Sequence, residues 1–336
     1  MKKKLFCFYI FTGVSFWCNS LIADQTPIEV QWQADVSSSF QFLAHSRTNI
    51  GNIGTGIQDA IMHAEIRNST LSPLKATLGF GVLEYFNYEG TLAPFSPIDI
   101  GLHYGWIEYQ SSSQWRWQMG QLQNQSGLEN GVSTKNAHIQ FGSINNSRSF
   151  YYPGLRSAFT TGSMQVYAEI SAPEIPNEIA ATLGTQYEYD YDNGKLALNL
   201  THYPDEQSTY YNLSWVQNIS MFSLGGVFDY IQLSDSPAWS DDEAFAIAGY
   251  LKLQLQQRYI ALRGEYFDAG NTRIYGYERA GVITVTYGYN ISPKAFMRFE
   301  GIYAKSSNNA FRDDKIFVDD QYGVAMQFGM RFGQGR

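Results

Sequence analysis

The sequence predicts an all-β fold, a transmembrane antiparallel β-barrel of about 16 strands. Three observations predict it. Polar and apolar residues alternate with period two along most of the chain. Many alternating runs exceed the ~5–6 residues usual in soluble sheets and approach the ~9–11 of a bilayer-crossing strand. The connections between these runs alternate between short turns and long polar loops, as they do in outer-membrane barrels.

Residues 1–23 predict a secretory signal peptide. Lysines occupy positions 2–4, an apolar run follows, and a cut after Leu-Ile-Ala leaves residues 24–336 as a single barrel domain. Both cysteines, Cys7 and Cys18, lie in the removed segment. The mature protein is therefore expected to be cysteine-free, which excludes a disulfide scaffold, a thiolate metal site and a cysteine-nucleophile enzyme.

Composition narrows the class further. Aromatic residues make up 16% of the chain and charged residues only 16%, against about 25% charged in typical soluble domains. After the signal peptide, no stretch approaches the ~20 consecutive apolar residues of a membrane-spanning helix, and mean hydropathy is −0.28. Helical membrane proteins are excluded, and the net charge of −8 argues against a generally basic nucleic-acid binder.

The first and last strands show the alternation most clearly. Near the mature N-terminus, apolar residues at 28, 30, 32, 34 and 36 alternate with polar ones. In the last strand, apolar residues from Tyr322 to Phe332 face one way, and the set from Gln321 to Arg331 faces the other. One face of each strand is expected to touch lipid and the other to face a water-filled interior.

Strand directions predict an unusual third long loop. The predicted strands are 28–36, 58–67, 74–86, 98–110, 114–122, 152–160, 162–171, 178–191, 195–203, 208–218, 221–232, 244–255, 258–267, 276–290, 294–304 and 319–332. Their up-and-down order is consistent only if 123–151 is one connection. A structureless connection of that length is improbable unless it packs on something, so we expect it to fold into the barrel.

The glycines at 51, 54 and 56 predict a flexible first extracellular loop.

One stretch of the chain resembles a known family. An aromatic strand at 106–109, a tight turn, the strand Trp115–Leu122, a Gly-Leu-Glu at 127–129 and the segment 147–154 follow one another in this order. This arrangement resembles the OmpL-like outer-membrane β-barrel porin family. The family pattern carries Lys-Phe where this chain has Gln121 and Leu122. The resemblance implies a porin fold and passive diffusion through a water-filled channel.

The inward polar set supplies the candidate pore-lining residues. On the strands these are Glu65, Arg67, Arg116, Arg156, Arg263, Arg298 and Glu300. Opposed arginines and carboxylates would set a transverse field that screens solutes by charge. The alternative interpretation is that they form ion pairs in the lumen wall with no role in selectivity.

Within the predicted constriction loop, 123–151, the charged or titratable residues are Glu129, Lys135, His138 and Arg148. They are expected to narrow and polarise the passage. Alternatively, Glu129 and Arg148 simply tie the loop to the wall. The two roles are compatible, because a filter must be held rigid.

The predicted function is that of an outer-membrane porin in a Gram-negative bacterium, for small hydrophilic solutes or ions, without catalytic residues, metal or cofactor. Expected partners are outer-membrane lipid and lipopolysaccharide, the barrel assembly machinery and the solutes, with a homo-oligomer left open and no nucleic acid. Two alternatives stay open: a surface adhesin, or a barrel-embedded hydrolase of the lipase type, which needs a serine and a histidine at the lipid face. His202 is its only partial candidate.

Overall fold

The computed structural model describes residues 28–45, 48–67, 72–83, 100–146, 149–172, 179–189, 193–204, 208–232, 243–269, 278–307, 311–313 and 316–333. Sixteen strands close into one antiparallel barrel, in which each strand pairs with its neighbours along the chain. The first strand pairs with the last, from Gln33 opposite Gly333 to His45 opposite Gln321. The expected strand count, pairing and class are therefore confirmed.

The barrel strands are β1 to β15 and β18, and β16 and β17 form a separate two-stranded hairpin. Their bounds are β1 Glu29–His45, β2 Thr48–Arg67, β3 Leu74–Leu83, β4 Ile100–Gln110, β5 Trp115–Gln123, β6 Tyr151–Thr161, β7 Met164–Ser171, β8 Ala180–Tyr189, β9 Gly194–Tyr203, β10 Ser208–Ile219, β11 Phe222–Gln232, β12 Glu243–Leu255, β13 Arg258–Asp268, β14 Arg279–Ser292, β15 Ala295–Ser306, β16 Phe311–Asp313, β17 Ile316–Val318 and β18 Asp320–Gly333.

The dyad pattern sorts side chains to the two faces of the wall. In β18, Val324 and Met326 are 54% and 43% exposed, whereas Ala325 and Gln327 between and beside them are 5% and 0% exposed. The exposed apolar side chains therefore form an outer band, which is the surface that lipid requires. Charged groups lie on the inner face because an arginine or lysine facing lipid at midplane costs ~2–4 kcal/mol.

The first hairpin is longer than the sequence predicts. β1 continues to His45 and β2 begins at Thr48, so the prediction of a flexible glycine loop is wrong for Gly51, Gly54 and Gly56. Within this part of β2, Gly54 and Gly56 pair with Gln41 and Ser39 of β1, with register shifts on either side, and β1 pairs in turn with β18. Backbone hydrogen bonds between the strands thus extend the hairpin through a stretch in which glycines interrupt the polar–apolar alternation that predicts strands.

The segment between β5 and β6 crosses the interior of the barrel. We call residues 124–150 the inner loop. Its described part contains a 3-10 turn, Ser133–Lys135, and a single helical turn, Ser143–Asn146, but no strand. It contacts wall strands from several sides, including β2, β10, β13 and β15. The expectation of an inward-folded third long loop is confirmed.

The long-loop end of the interior contains an apolar cluster that the sequence analysis did not anticipate. Inner-facing residues of β11 to β15, among them Val227, Phe267 and Val282, pack with Ile144 of the inner loop and Val318 of β17. Apart from Phe267, the buried side chains of this cluster are small or aliphatic, which lets the inner loop approach the wall closely. Among the described residues, no helix has the length and apolar character needed to cross a membrane.

Candidate functional site

The inner loop is fixed to the wall at Glu300 of β15. Its carboxylate accepts hydrogen bonds from the backbone N–H groups of Ile139, at 2.7 Å, and Gln140, at 3.1 Å. The Thr286 hydroxyl donates a third bond of 2.7 Å. Three donors satisfy this buried carboxylate, so Glu300 holds a stretch of loop backbone that has no helical or strand partners of its own.

Arg298, two residues earlier on the same face of β15, supplies the complementary anchor. Its guanidinium donates to the carbonyl oxygens of Ser133, Thr134 and His138 at 3.1, 2.9 and 3.3 Å. Arginine suits this task because its planar fork presents several donors at fixed angles. Carbonyl groups at the two ends of the stretch 133–138 are thereby held by one buried side chain.

Arg263 of β13 forms the most enclosed ion-pair group. Its guanidinium lies 2.6 Å from a carboxylate oxygen of Glu129 and 3.0 Å from one of Glu265, and the side chains of all three are nearly or completely buried. It also donates to the Gln140 carbonyl at 2.9 Å. The second oxygen of Glu129 accepts the N–H of Gly142 at 2.8 Å. One loop carboxylate, Glu129, therefore ties the loop both to the wall and to itself.

Farther around the same side of the barrel, with β18 and β1 between it and β15, Asp59 of β2 holds the 3-10 turn. Its carboxylate accepts the Ser133 N–H at 3.2 Å, the Ser133 hydroxyl and the Ser37 hydroxyl at 2.9 Å. Gln327 of β18 donates to the Ser133 hydroxyl at 2.8 Å. Sequence analysis did not single out Asp59 as a site residue. It lies on the polar phase of a predicted strand, so the alternation carried a signal, but its loop partner Ser133 is 74 positions away in the sequence.

The wall of β5 to β11 contacts the start of the inner loop mainly through amides. Arg156 pairs with Glu169, at 2.6 Å from its Nε, and donates at 2.8 Å to the carbonyl of Gln123, the last residue of β5 before the inner loop. Farther along, Asn212 accepts the Gly127 N–H at 3.3 Å and Gln186 donates to Gln125 at 2.9 Å.

The remaining predicted residues do not join the anchored group. Glu65 and Arg67 pair with each other at 2.7 Å near the short-turn end, where both side chains are partly exposed. Arg116 lies on the inner face of β5 and has no ion-pair partner among the described residues. Arg148 lies outside the described residues. The structure thus brings together Glu129, His138, Arg263, Arg298 and Glu300, and leaves Glu65, Arg67 and Arg116 apart from them.

Lys135 and His138 contrast within the inner loop. His138 is buried, with its Nδ1 2.7 Å from the Thr286 hydroxyl. Burial lowers its pKa below the ordinary 6.5, although the neighbouring Glu300 acts in the other direction. Lys135 is exposed and has no ion-pair partner among the described residues. Desolvation lowers its pKa, while the charges of Asp35 and Asp59 raise it.

Comparison with known proteins decides the family. A family model described as "Putative beta-barrel porin-2, OmpL-like" matches residues 47–332, well over half of the chain. The chain belongs to this porin family. It is an outer-membrane porin, and the expected location in the bacterial outer membrane is confirmed. The family match extends far beyond the short stretch on which the sequence resemblance rested.

Solved porin structures share the fold. The outer membrane channel DcaP of Acinetobacter baumannii superposes with a TM-score of 0.65 at 10% identity, covering 91% of this chain and 99% of that chain. The anion-selective porin from Comamonas acidovorans gives 0.60 at 11% identity, covering 91% and 100%. OmpF of Salmonella typhi gives 0.60 at 8% identity, covering 92% and 99%. The comparison with curated proteins found no match.

The described residues of this porin contain no group of three or more histidine, cysteine, aspartate or glutamate side chains arranged to hold a metal ion. His202, which the hydrolase alternative requires, lies exposed at the long-loop end of β9, and its Nδ1 is 3.1 Å from the Thr209 hydroxyl. That contact is to a threonine hydroxyl rather than to the serine that the alternative needs.

Proposed function

We propose that the inner loop, predicted from sequence as 123–151, is the constriction of a passive-diffusion channel for small hydrophilic solutes and ions. The observation that carries the proposal is the anchoring of loop backbone across the barrel. Asp59 of β2 accepts the Ser133 N–H, and Asn212 of β10, on the far side of the barrel, accepts the Gly127 N–H. Glu300, Arg298 and Arg263 hold further loop backbone. A loop fixed at both sides can narrow a passage reproducibly. The mechanism is geometric and electrostatic and has no covalent step.

We further propose that the constriction favours anions. The buried carboxylates of Glu129, Glu265 and Glu300 are all committed to arginine or backbone donors. Lys135, in contrast, is exposed on the loop without an ion-pair partner among the residues described. An uncompensated cation at a narrow point raises the local concentration of anions, even though the whole chain is acidic.

The test is the reversal potential of the reconstituted protein in a planar bilayer under a KCl gradient. We expect stepwise ohmic conductance with a reversal potential on the anion-selective side. Lys135→Gln should move it toward zero. Lys305→Gln is the matched control, because Lys305 is an exposed residue at the long-loop end of β15 and its removal changes the net charge equally. Silence of a folded barrel would overturn the channel proposal, and equal effects of both variants would overturn the role of Lys135.

The pore-lining roles of Glu65, Arg67, Arg116, Arg156 and Arg148 stay predictions, as do the signal peptide, lipopolysaccharide contact, assembly by the barrel machinery and a homo-oligomer. We propose no enzymatic activity. The family is one of porins, and no contact of His202 described above favours the hydrolase alternative.

A further inference from the structure

We infer that the cavity at the short-turn end of the lumen binds ring-bearing organic carboxylates on their way through the channel. The inference rests on the proposed function, since it assumes that solutes reach the lumen, and it names a solute class that conductance alone does not identify.

The cavity has a volume of about 750 Å³ and lies between β1 to β4, the end of β18 and the inner loop. This volume falls within the ~300–1,000 Å³ of pockets that hold small organic molecules. We call it the vestibule cavity. Its lining includes Tyr104, Trp106, Tyr151, Lys135 and Arg331, which separate into an aromatic wall and a cationic one.

The aromatic wall is a row of rings with a fixed arrangement. The rings of Tyr104 and Tyr151 have centroids 4.6 Å apart and are nearly parallel, and Trp106 adjoins Tyr104 at 5.7 Å. Gly79 on the adjacent strand makes room for Tyr104, since a Cβ there would lie 2.2 Å from the tyrosine ring. The His63 imidazole hydrogen-bonds to the Tyr104 hydroxyl. The rings are thus preorganised, and a flat ligand would not have to order them.

The cationic wall consists of groups that are incompletely compensated. Lys135 has no ion-pair partner among the described residues. Arg331 lies 3.5 Å from Asp35 and donates to the Thr134 carbonyl, yet its side chain keeps 43% of its surface exposed. The acidic groups nearby are already engaged, because Asp35 also contacts His63 at 3.0 Å and Glu65 pairs with Arg67 at 2.7 Å. The vestibule cavity therefore presents positive charge opposite aromatic faces.

This combination selects a ligand class. A carboxylate satisfies Lys135 and Arg331 through charge-assisted hydrogen bonds, and a ring stacks on Trp106 or Tyr151, which Tyr104 supports from behind. A simple anion such as acetate gains only the first interaction, and a neutral ring gains only the second. Arene carboxylates and sugar acids share the required chemistry.

The experiment measures binding by isothermal titration calorimetry to the full-length mature barrel folded in detergent, independently of conductance. The probes are benzoate and glucuronate, with acetate and benzyl alcohol as comparison ligands. We expect benzoate, glucuronate or both to bind at least tenfold more tightly than either comparison ligand. Benzoate alone would identify arene carboxylates, glucuronate alone sugar acids, and each of these results supports the inference.

Variants separate the two walls. Lys135→Gln should weaken binding of the tighter probe at least tenfold, while Lys305→Gln leaves it unchanged. Tyr151→Leu should weaken the ring-bearing probes and leave acetate unaffected. Because Tyr151 begins β6, heat-modifiable mobility in gels checks that the variant is folded, and Trp106→Leu provides a second test of the aromatic wall. Equal affinity for all four ligands in the wild-type protein, or an unchanged affinity in Lys135→Gln, would overturn the inference.

The outcome is distinguishable from failure of the proposed function. A protein that conducts in bilayers but does not discriminate the probes refutes only the vestibule site. One that binds the probes but never conducts refutes the channel and leaves the binding site in place.

Discussion

Charged side chains have different roles in two regions of the lumen. On the wall of β13 to β15, Arg263, Arg298 and Glu300 are buried and each bonds to loop backbone or to a loop side chain. In the vestibule cavity, by contrast, Lys135 is exposed and Arg331 is only partly covered. We refer to the first region as the anchoring wall.

The difference separates structural charges from charges available to solutes. A buried arginine between two carboxylates has its donors occupied and cannot attract an ion without breaking a loop contact. Lys135, in contrast, is exposed to the lumen and has no ion-pair partner among the described residues, so its ammonium donors are open to a solute, although its enclosure by the barrel lowers its pKa. A charged side chain that points into the barrel is therefore not necessarily a selectivity residue, because the inner loop covers some inward-pointing charges and leaves others accessible to solutes.

The largest expected effect comes from Arg263→Leu on the anchoring wall. Removal of the guanidinium leaves Glu129 and Glu265 buried without their cation, and breaking a buried ion pair in this way typically costs ~3–5 kcal/mol. The inner loop should detach and single-channel conductance should rise and become noisy. Gel-shift unfolding temperatures and bilayer recordings measure both effects. A variant with wild-type conductance and unfolding temperature would mean that this wall does not hold the loop.

Glu300→Gln should have an intermediate effect. The amide keeps one acceptor oxygen but places an N–H₂ group against one of the two loop donors, Ile139 or Gln140. Leaving one buried group unsatisfied costs ~1–3 kcal/mol. The unfolding temperature in detergent should fall less than in Arg263→Leu. A larger fall than in the arginine variant would reverse the ranking of these two anchors.

Acidification should loosen the loop through His138, which lies outside the membrane-spanning strands. Burial holds its folded-state pKa below 6.5, so between the two pKa values the unfolded state binds the proton and the folded state does not. Stability from this group is complete above about pH 6.5 and declines as the pH falls toward the folded-state pKa. His138→Gln should reduce the difference in unfolding temperature between pH 7.5 and pH 5.5. Identical pH dependence in the variant and the wild type would exclude His138 as its source.

The smallest effect is expected for Arg67→Gln. Its pair with Glu65 is 2.7 Å long, but the two side chains are 22% and 26% exposed, and pairs of this kind contribute less than about 1 kcal/mol. Unfolding temperature and conductance should both stay near wild type, with a slight change in reversal potential at low salt. A loss comparable to that of Arg263→Leu would remove the distinction between the anchoring wall and the charged residues beside the vestibule cavity.

The sequence predicts the wall far better than the site. The alternation in β18 predicts where the strand lies, which side chains face lipid and where the strand ends. It does so because successive residues of a strand point alternately to lipid and to water. The position of the inner loop follows from strand directions alone. Its contacts do not, because Glu300 meets Ile139 across 161 positions of the chain and no local pattern encodes that distance. The apolar cluster around Phe267 was missed for a related reason: small alanines on the inner face do not look buried until Ile144 covers them.

The central claim is that the inner loop constricts the lumen, and single-channel conductance of a loop deletion tests it most directly. Gln123 and Tyr151 are partners in the ladder between β5 and β6, so a short Gly-Ser turn can replace residues 125–149 without altering the barrel. The account predicts a folded, heat-modifiable barrel with a conductance several times that of the wild type and weakened anion preference. A folded deletion variant with wild-type conductance and selectivity would contradict it.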